Sequence, residues 1–385
     1  MKNINLLSVL MLSILLLGCG TDKKKNGFST LEVSISGSRR NIILNDIASK
    51  IRYIPLETND SLIIGEIVKV IKKDNYYFIS DATALYKFDQ NGKLAGYINK
   101  KGNGPDEYIG ISDFQIDKEG GVWILGRNKK ILNNYSWAGE LLKQIHLKYW
   151  IQNFIFNDRF IYMYCGNEVE EGNDSKIHVW NIDTEEYVAK FLRIDKNQSN
   201  YLHILSQLCF IPRERDIYFF QAFNDTIYKL SPEAIQPYAY INLDDKNIPA
   251  SFYKQKYENI VEFFNALMNE SYAYGIPYFY EYPSHYLLSF YYNRQQYMAI
   301  LPKSENEESF VSSHCRVGDD ILPNDFKMEF SDTQTFLQND GSLIFILNPM
   351  QIDEYAKNKN NKNILRTLQI TDPEQNPVLL DVELE

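Results

Sequence analysis

Three features of the sequence predict an all-β fold, a six-bladed β-propeller. Tyr and Phe number 28 and 22 among 385 residues, and aromatic side chains favour the half-buried, pleated surface of a strand. A unit of short strands separated by polar turns recurs along the chain, as in the blades of a propeller. Equivalent strands return every 40 to 70 residues or so, close to known blade repeats once insertions are allowed for. Residues 28–385 are therefore expected to form a single domain.

The repeats are clearest in the first third of the chain. One complete unit comprises Ile67–Ile71, Tyr76–Ser80, Ala84–Asp89 and Lys93–Ile98. A second comprises Phe114–Ile116, Val122–Leu125, Ile131–Tyr135 and Glu140–Leu147. Fainter copies centre on Phe160–Tyr164 with Ile177–Ile182, Ile217–Phe220 with Thr226–Leu230, Tyr286–Phe290 with Gln296–Leu301, and Leu343–Leu347. Together these units predict six blades.

The two ends of the repeat array predict how the ring closes. Arg52–Leu56 reads as a strand that precedes the first complete blade, whereas the unit around Leu343–Leu347 is short of strands. A ring left open would expose an unpaired sheet edge. The N-terminal strand is therefore expected to complete the last blade, next to a terminal strand at Val378–Leu384.

Two helices are predicted as insertions between strands. In residues 251–270 apolar side chains recur at helical spacing with Lys and Glu between them, at Tyr253, Tyr257, Ile260, Val261, Phe264 and Leu267. This amphipathic helix is expected to pack on the outside of a blade, with contact to a partner or a membrane as the alternative. A weaker helical pattern runs from Gln351 to about Lys359.

The N-terminus indicates export and lipidation. Residues 1–18 combine Lys2 with an uncharged apolar run that is too short to span a bilayer, as in a signal peptide. The run ends in Leu16–Cys19, which resembles a bacterial lipobox, so Cys19 is expected to carry the acyl chains, palmitate among them. Residues 19–27 then form a polar tether.

Composition narrows the classes of function. The formal net charge is −10, which argues against nucleic acid, because phosphates demand a basic face. After Cys19, the cysteines are Cys165, Cys209 and Cys315. Their spacing fits neither a zinc site nor a CxxC redox pair, so they are expected to be small buried hydrophobes with at most one disulfide.

Five segments carry a resemblance to a known family: Ile51–Thr58, Ile64–Ile67, Leu85–Asp89, Lys101–Tyr108 and the closing Asn376–Leu380. They resemble the NHL-like six-bladed propeller lipoproteins of Bacteroides-type bacteria. The resemblance implies the propeller fold and a place in the cell envelope, and it brings no established reaction and no catalytic residues. In such bacteria an acidic stretch after the lipidated cysteine marks export to the cell surface. Only Asp22 is acidic here, which favours the periplasmic side of the outer membrane.

The glycine-rich segment Lys101–Tyr108 is the sharpest local motif. It lies between the last strand of the first blade and the first strand of the second, where crossings emerge on one face of the disc. Gly102, Gly104 and Pro105 explain it as a structural turn. The functional alternative is a binding site at the mouth of the channel, formed by Lys101, Asn103, Asp106, Glu107 and Tyr108. The resembling family usually has glycine or a small residue at the position of Asp106.

Signals for catalysis are weak, and no catalytic or metal-binding residue is assigned. The five histidines, His146, His178, His203, His285 and His314, lack metal-ligand spacing. Ser312–Cys315 is an adjacency in sequence, whereas catalytic triads are assembled in space. No cofactor is expected, and calcium is the ion that the paired acids Asp244–Asp245 and Asp319–Asp320 would suit.

Two classes of function therefore stay open. The favoured one is a membrane-anchored binding or scaffolding lipoprotein that uses a propeller face to bind an envelope protein or a glycan, and that contacts the membrane through its anchor alone. Aromatic side chains that could stack on sugars or pack on a protein are Trp137, Trp150, Tyr272, Tyr274, Tyr278, Tyr280 and Tyr282. The alternative is a propeller enzyme, of lactonase, lyase or glycosidase type, with a metal or paired acids at the channel.

Overall fold

A computed structural model describes residues 28–35, 41–199, 201, 209–213, 216–304 and 306–385. Cys19, the leader, the tether and His203 lie outside these ranges. The described residues form seven sheets, which are the blades of a β-propeller. The all-β prediction is confirmed, and the prediction of six blades is wrong, because the propeller has seven.

The strands are numbered in chain order. Three precede the first complete blade: β1 Ser29–Glu32, β2 Ile42–Ile43 and β3 Ala48–Pro55. The next four form one blade: β4 Lys69–Lys73, β5 Tyr76–Ser80, β6 Leu85–Asp89 and β7 Leu94–Ile98. Another comprises β8 Asp113–Ile116, β9 Val122–Gly126, β10 Ile131–Tyr135 and β11 Leu141–His146. A further one comprises β12 Asn153–Asn157, β13 Phe160–Tyr164, β14 Ser175–Asn181 and β15 Glu186–Arg193.

The second half continues in the same way. One blade comprises β16 Phe210–Arg213, β17 Asp216–Phe219, β18 Thr226–Leu230 and β19 Ile235–Asn242, and β1 adds to β19 as a parallel fifth strand. Helix α1, Ile260–Glu270, precedes the blade of β20 Phe279–Glu281, β21 His285–Tyr292, β22 Gln295–Pro302 and β23 Phe310–Ser312. The remaining elements are β24 His314–Arg316, β25 Met328–Glu329, β26 Thr335–Leu337, β27 Leu343–Leu347, α2 Pro349–Asn358, α3 Lys362–Thr367 and β28 Val378–Leu384.

The seventh sheet is the one that sequence patterns do not show. It pairs β2, β24 and β25 in that order, and its strands contain only two or three residues each. Strands this short carry no detectable alternation of apolar and polar residues. β2 pairs in parallel with β24, with Ile42 opposite Cys315. One strand of this pair therefore comes from near the N-terminus and the other from the last quarter of the chain.

The ring closes as predicted. β3 pairs antiparallel with β28, from Pro55 opposite Val378 to Ala48 opposite Leu384, and completes the blade β26-β27-β28-β3. Asp381 of β28 is fully buried and accepts hydrogen bonds from Arg52 Nη2 (2.5 Å), Lys72 Nζ (3.2 Å) and Tyr77 Oη (2.6 Å). The ionic network at this carboxylate joins the last blade to the first.

The helical insertions differ in extent from the prediction. Helix α1 begins at Ile260, not near 251, because the Asn259 side chain accepts a hydrogen bond from Glu262 N (3.0 Å) and caps it there. Its buried side chains are Phe263 and Leu267, whereas Val261, expected on the apolar face, is 64% exposed. Helix α2 covers the weaker predicted helix and begins two residues earlier, at Pro349. None of the helices in the described ranges has the length and apolar character needed to cross a bilayer.

Candidate functional site

The central channel of the propeller is nearly filled. Its cavity measures about 40 Å³ and is lined by residues on or beside the inner strands of six blades: Val68, Lys69, Val70, Ile71, Gln115, Ile155, Phe210, Tyr278, Phe336, Leu337, Gln338 and Asn339. A cavity needs at least about 10–15 Å³ to hold a single water. The space therefore suits a few waters and is too small for a sugar or a peptide.

Polar side chains in the channel form hydrogen bonds and ion pairs between neighbouring blades. Lys69 Nζ donates to Asp113 Oδ1 at 2.6 Å, and the buried Asp113 also accepts from Phe154 N at 3.0 Å. Gln115 Nε2 donates to Phe154 O, and Gln338 Oε1 accepts from Lys72 N. Because buried polar groups must be paired, these contacts hold neighbouring blades together. No acid or histidine lines the described cavity.

Two residues of the predicted loop site are built into the loop itself. The Glu107 carboxylate accepts from Gly104 N at 2.6 Å, and a Cβ on Gly102 would lie 2.1 Å from Glu107 Oε2. Tyr108 is fully buried, accepts from Lys100 N and donates to Thr83 O, and burial raises its pKa. These contacts show that Gly102, Glu107 and Tyr108 stabilise the turn itself.

The backbone of the same loop is fastened to the second blade. Lys129 Nζ donates to Gly104 O (2.7 Å) and Glu107 O (2.8 Å), and Tyr135 Oη donates to Asp106 O (2.7 Å). Lys101 and Asn103 are exposed, and the Asp106 side chain is half-buried. None of the five predicted residues lines the central cavity. Binding by this loop stays a prediction, which now concerns its exposed side chains.

Two variants of this loop distinguish a structural role from a binding role. Glu107→Ala is expected to lower the free energy of unfolding by about 1–3 kcal/mol, because Gly104 N loses its acceptor. The double variant Lys101→Ala/Asp106→Ala removes side chains that, in the described residues, accept no hydrogen bond from the loop backbone. It should therefore melt at the same temperature as the wild type. Thermal melts of both variants check this. If the double variant also unfolds early, its side chains are structural, and a binding role there must be dropped.

The aromatic side chains proposed as stacking platforms are largely covered. Tyr278, Tyr280 and Tyr282 are between 4% and 7% exposed. The Trp137 ring stacks on Phe78 with centroids 5.4 Å apart, and the Arg127 guanidinium lies 4.6 Å from the Trp150 ring centroid. Tyr274 is sandwiched between Phe223 and Tyr291, and Tyr272 packs beside Phe252. Since a sugar needs a free ring face, this arrangement argues against glycan stacking at these positions.

The paired acids behave as turn residues. Asp319 accepts from Tyr53 Oη, Ile321 N and Leu322 N, and Asp244 accepts from Ile35 N. Asp245 forms an ion pair with Lys246 at 3.0 Å. In the described part of the chain no three His, Cys, Asp or Glu side chains are grouped as metal ligands.

His178 and the three cysteines after Cys19 fit the structural interpretation. His178 lies on β14, stacks on Tyr149 and shares a hydrogen bond with Asn173, and burial lowers its pKa to about 4. It is therefore neutral near pH 7. Cys165, Cys209 and Cys315 are buried, and none of the three is in a disulfide.

Two larger cavities lie at the junction of the seventh blade, β2-β24-β25, and the last blade along the chain, β26-β27-β28-β3. The sequence did not indicate these cavities. One cavity of about 470 Å³ is lined by residues 326–331 and 345–347 together with Gln334 and Gln351. A second of about 370 Å³ is lined by 64–67, 333–334, 346, 348–350, 373–375 and 377. Gln334 and Ile346 line both, so we call the two together the junction groove. Each volume is in the range of ligand-binding clefts.

One solved structure aligns closely enough to show the same fold. A crystal structure of a Bacteroides fragilis NCTC 9343 protein, described as an exported protein, aligns with a TM-score of 0.72 at 17% identity, over 93% of this chain and 100% of that one. A member of the DUF4221 family from Bacteroides vulgatus ATCC 8482 aligns with a TM-score of 0.49 at 12% identity, over 88% and 98% of the two chains. A sequence search of curated proteins finds no match.

A family model also matches nearly the whole propeller. The match covers residues 29–383, from the first strand to the last. It does not support the NHL-like assignment specifically. The chain belongs to the family described as Domain of unknown function (DUF4934).

Proposed function

We propose that this protein is an exported, lipid-anchored scaffold that binds a polypeptide partner in the cell envelope. The observation that carries the proposal is where space for a ligand lies. The central cavity is about 40 Å³, whereas the junction groove offers cavities of about 470 and 370 Å³ at the edge of the last blade. A scaffold with an accessible groove beside a filled channel suits a macromolecule better than a small substrate.

Apolar exposure beside the groove supports a protein partner. Met350 lines the groove and is 56% exposed, and Ile63, next to the lining residue Ile64, is 57% exposed. Buried apolar area supplies much of the affinity in protein complexes. The seven aromatic side chains considered as sugar platforms are buried or contact neighbouring side chains, so polypeptide is the better match of the two ligand classes.

Export and anchoring rest on other features. The leader and Cys19 predict lipidation, and the Bacteroides fragilis neighbour is described as exported. Anchoring at the outer membrane, on its periplasmic side, is part of the same proposal.

A photo-crosslinking experiment in the native envelope tests the polypeptide partner. A benzophenone amino acid replaces Met350 beside the groove, and in a matched control it replaces Leu142, which is 60% exposed on the second blade. The groove position is expected to give a discrete adduct whose added mass disappears after protease digestion, and the control position is not. An adduct resistant to protease and removed by glycosidases, or equal adducts from both positions, would overturn the proposal.

A further inference from the structure

The seventh blade is one strand short. In the part of the chain that the structure describes, the six other blades contain four or five strands, whereas this one contains only β2, β24 and β25. β25 lies at the end of that order, so in the described residues it pairs on one side only. An unpaired strand edge is a ready template for an additional strand.

The free backbone groups of β25 can be identified by alternation. Phe330 N donates to Ser313 O, so the backbone of Phe330 points towards β24. Successive residues of a strand direct their N–H and C=O groups to opposite sides. Met328 therefore also faces β24, its register partner being Cys315, whereas the N–H and C=O of Glu329 point away from it.

These outward groups face the junction groove. Six consecutive residues, 326–331, line its larger cavity. Met328 and Glu329 of β25 are both among them, and neighbouring side chains of a strand point to opposite faces, so β25 lines the cavity with its edge. The opposite wall is also consecutive, at 345–347 of β27, where Ile346 N is paired with Gln334 O.

The side chains of β25 indicate what would pair with it. Met328 and Phe330 are buried, whereas Lys327 and Glu329 are exposed. A strand added beside β25 would meet apolar groups on one face and a lysine and a glutamate on the other. Complementary charges directly across a strand pair stabilise it, and like charges oppose it.

We infer that β25 accepts an extended polypeptide segment as the missing strand of the seventh blade, with apolar residues at alternate positions and charges opposite to those of Lys327 and Glu329. This inference rests on the proposed function and adds the manner of binding. The segment would run along the larger cavity, and its continuation would reach the smaller one beside Met350. Main-chain hydrogen bonds would supply affinity and the alternating pockets specificity, as in other strand-addition complexes.

Two substitutions at one position test the main-chain pairing. Glu329→Pro removes the outward N–H, which takes no part in the bonds to β24, and proline is tolerated on strand edges of this kind. Glu329→Ala removes the carboxylate and keeps the N–H. A phage-displayed heptapeptide library is selected on the wild-type protein, and the enriched peptides are then measured on all three proteins by fluorescence anisotropy. Thermal melts verify that both variants remain folded.

Enriched peptides with alternating apolar residues are expected to bind wild type and Glu329→Ala within a few-fold, and Glu329→Pro at least tenfold more weakly. Failure to enrich any peptide, or equal binding to the folded alanine and proline variants, would overturn the inference. If Glu329→Pro unfolds, Ile346→Arg on the opposite wall replaces it as the blocking variant, with Leu142→Arg as its control. A Met350 photo-adduct that persists in the blocking variant would refute strand addition and leave the polypeptide partner standing.

Discussion

Deletion of residues 28–60 is expected to yield aggregated or protease-sensitive protein. The deletion removes β3, which pairs with β28 along its whole length. β28 would then present an open edge, and four of its seven residues are large buried hydrophobics, namely Val378, Leu379, Leu380 and Val382. An exposed apolar edge pairs with other chains. Size-exclusion chromatography and limited proteolysis measure the outcome.

Two controls separate ring closure from general loss of chain. Deletion of 28–47 removes β1 and β2 and keeps β3, so it should lower the melting temperature and leave a soluble monomer. Asp381→Ala keeps every strand and removes the buried partner of Arg52 and Lys72, which still pair with Glu383 at 3.1 and 3.2 Å. It should therefore cost less than the about 3–5 kcal/mol of a buried ion left with no partner. A 28–60 deletion that is soluble and unfolds cooperatively would contradict closure by β3.

Replacement of Cys19 with alanine is expected to release the protein from the membrane. The thiol is the predicted site of acylation, and each buried CH₂ contributes about 0.8 kcal/mol to membrane binding, so loss of all acyl chains abolishes the anchor. The variant should accumulate as uncleaved precursor or as soluble protein that neither enters the detergent phase nor incorporates labelled palmitate. Thr21→Ala, in the adjoining tether, is the matched control and should behave like wild type. Palmitate labelling of Cys19→Ala at the wild-type level would refute lipidation at this residue.

Local pattern predicted most of the strands, because each is a short apolar or aromatic run bounded by polar turn residues. Tyr76–Ser80, Ile131–Tyr135 and Val378–Leu384 have the predicted bounds. The closing strand was also predictable, since a ring requires a partner for its last blade. Helix α1 was misplaced because the spacing of Tyr253 and Tyr257 imitates a helical stripe, whereas Asn259 caps the helix after them.

The candidate site was less predictable than the fold. The Lys101–Tyr108 motif was visible because glycine and proline mark turns, but its spacing does not reveal that the Glu107 side chain folds back onto Gly104 N. The sequence showed which aromatic residues are present. Whether a ring face is free depends on neighbours from other strands, as with Trp137 against Phe78.

The sequence by itself determined the all-β class, the bounds of many strands, the closing of the ring by the N-terminal strand, and the expectation of export and lipidation. The tertiary structure alone decided the number of blades and the place of the junction groove. The reason is the range of the interactions involved. β24 is three residues long and is paired with β2, more than 270 positions away, and the groove lies between β25 and β27 with no motif in either. Local periodicity records which face of a strand is buried, whereas an open edge exists only once all strands have found their partners.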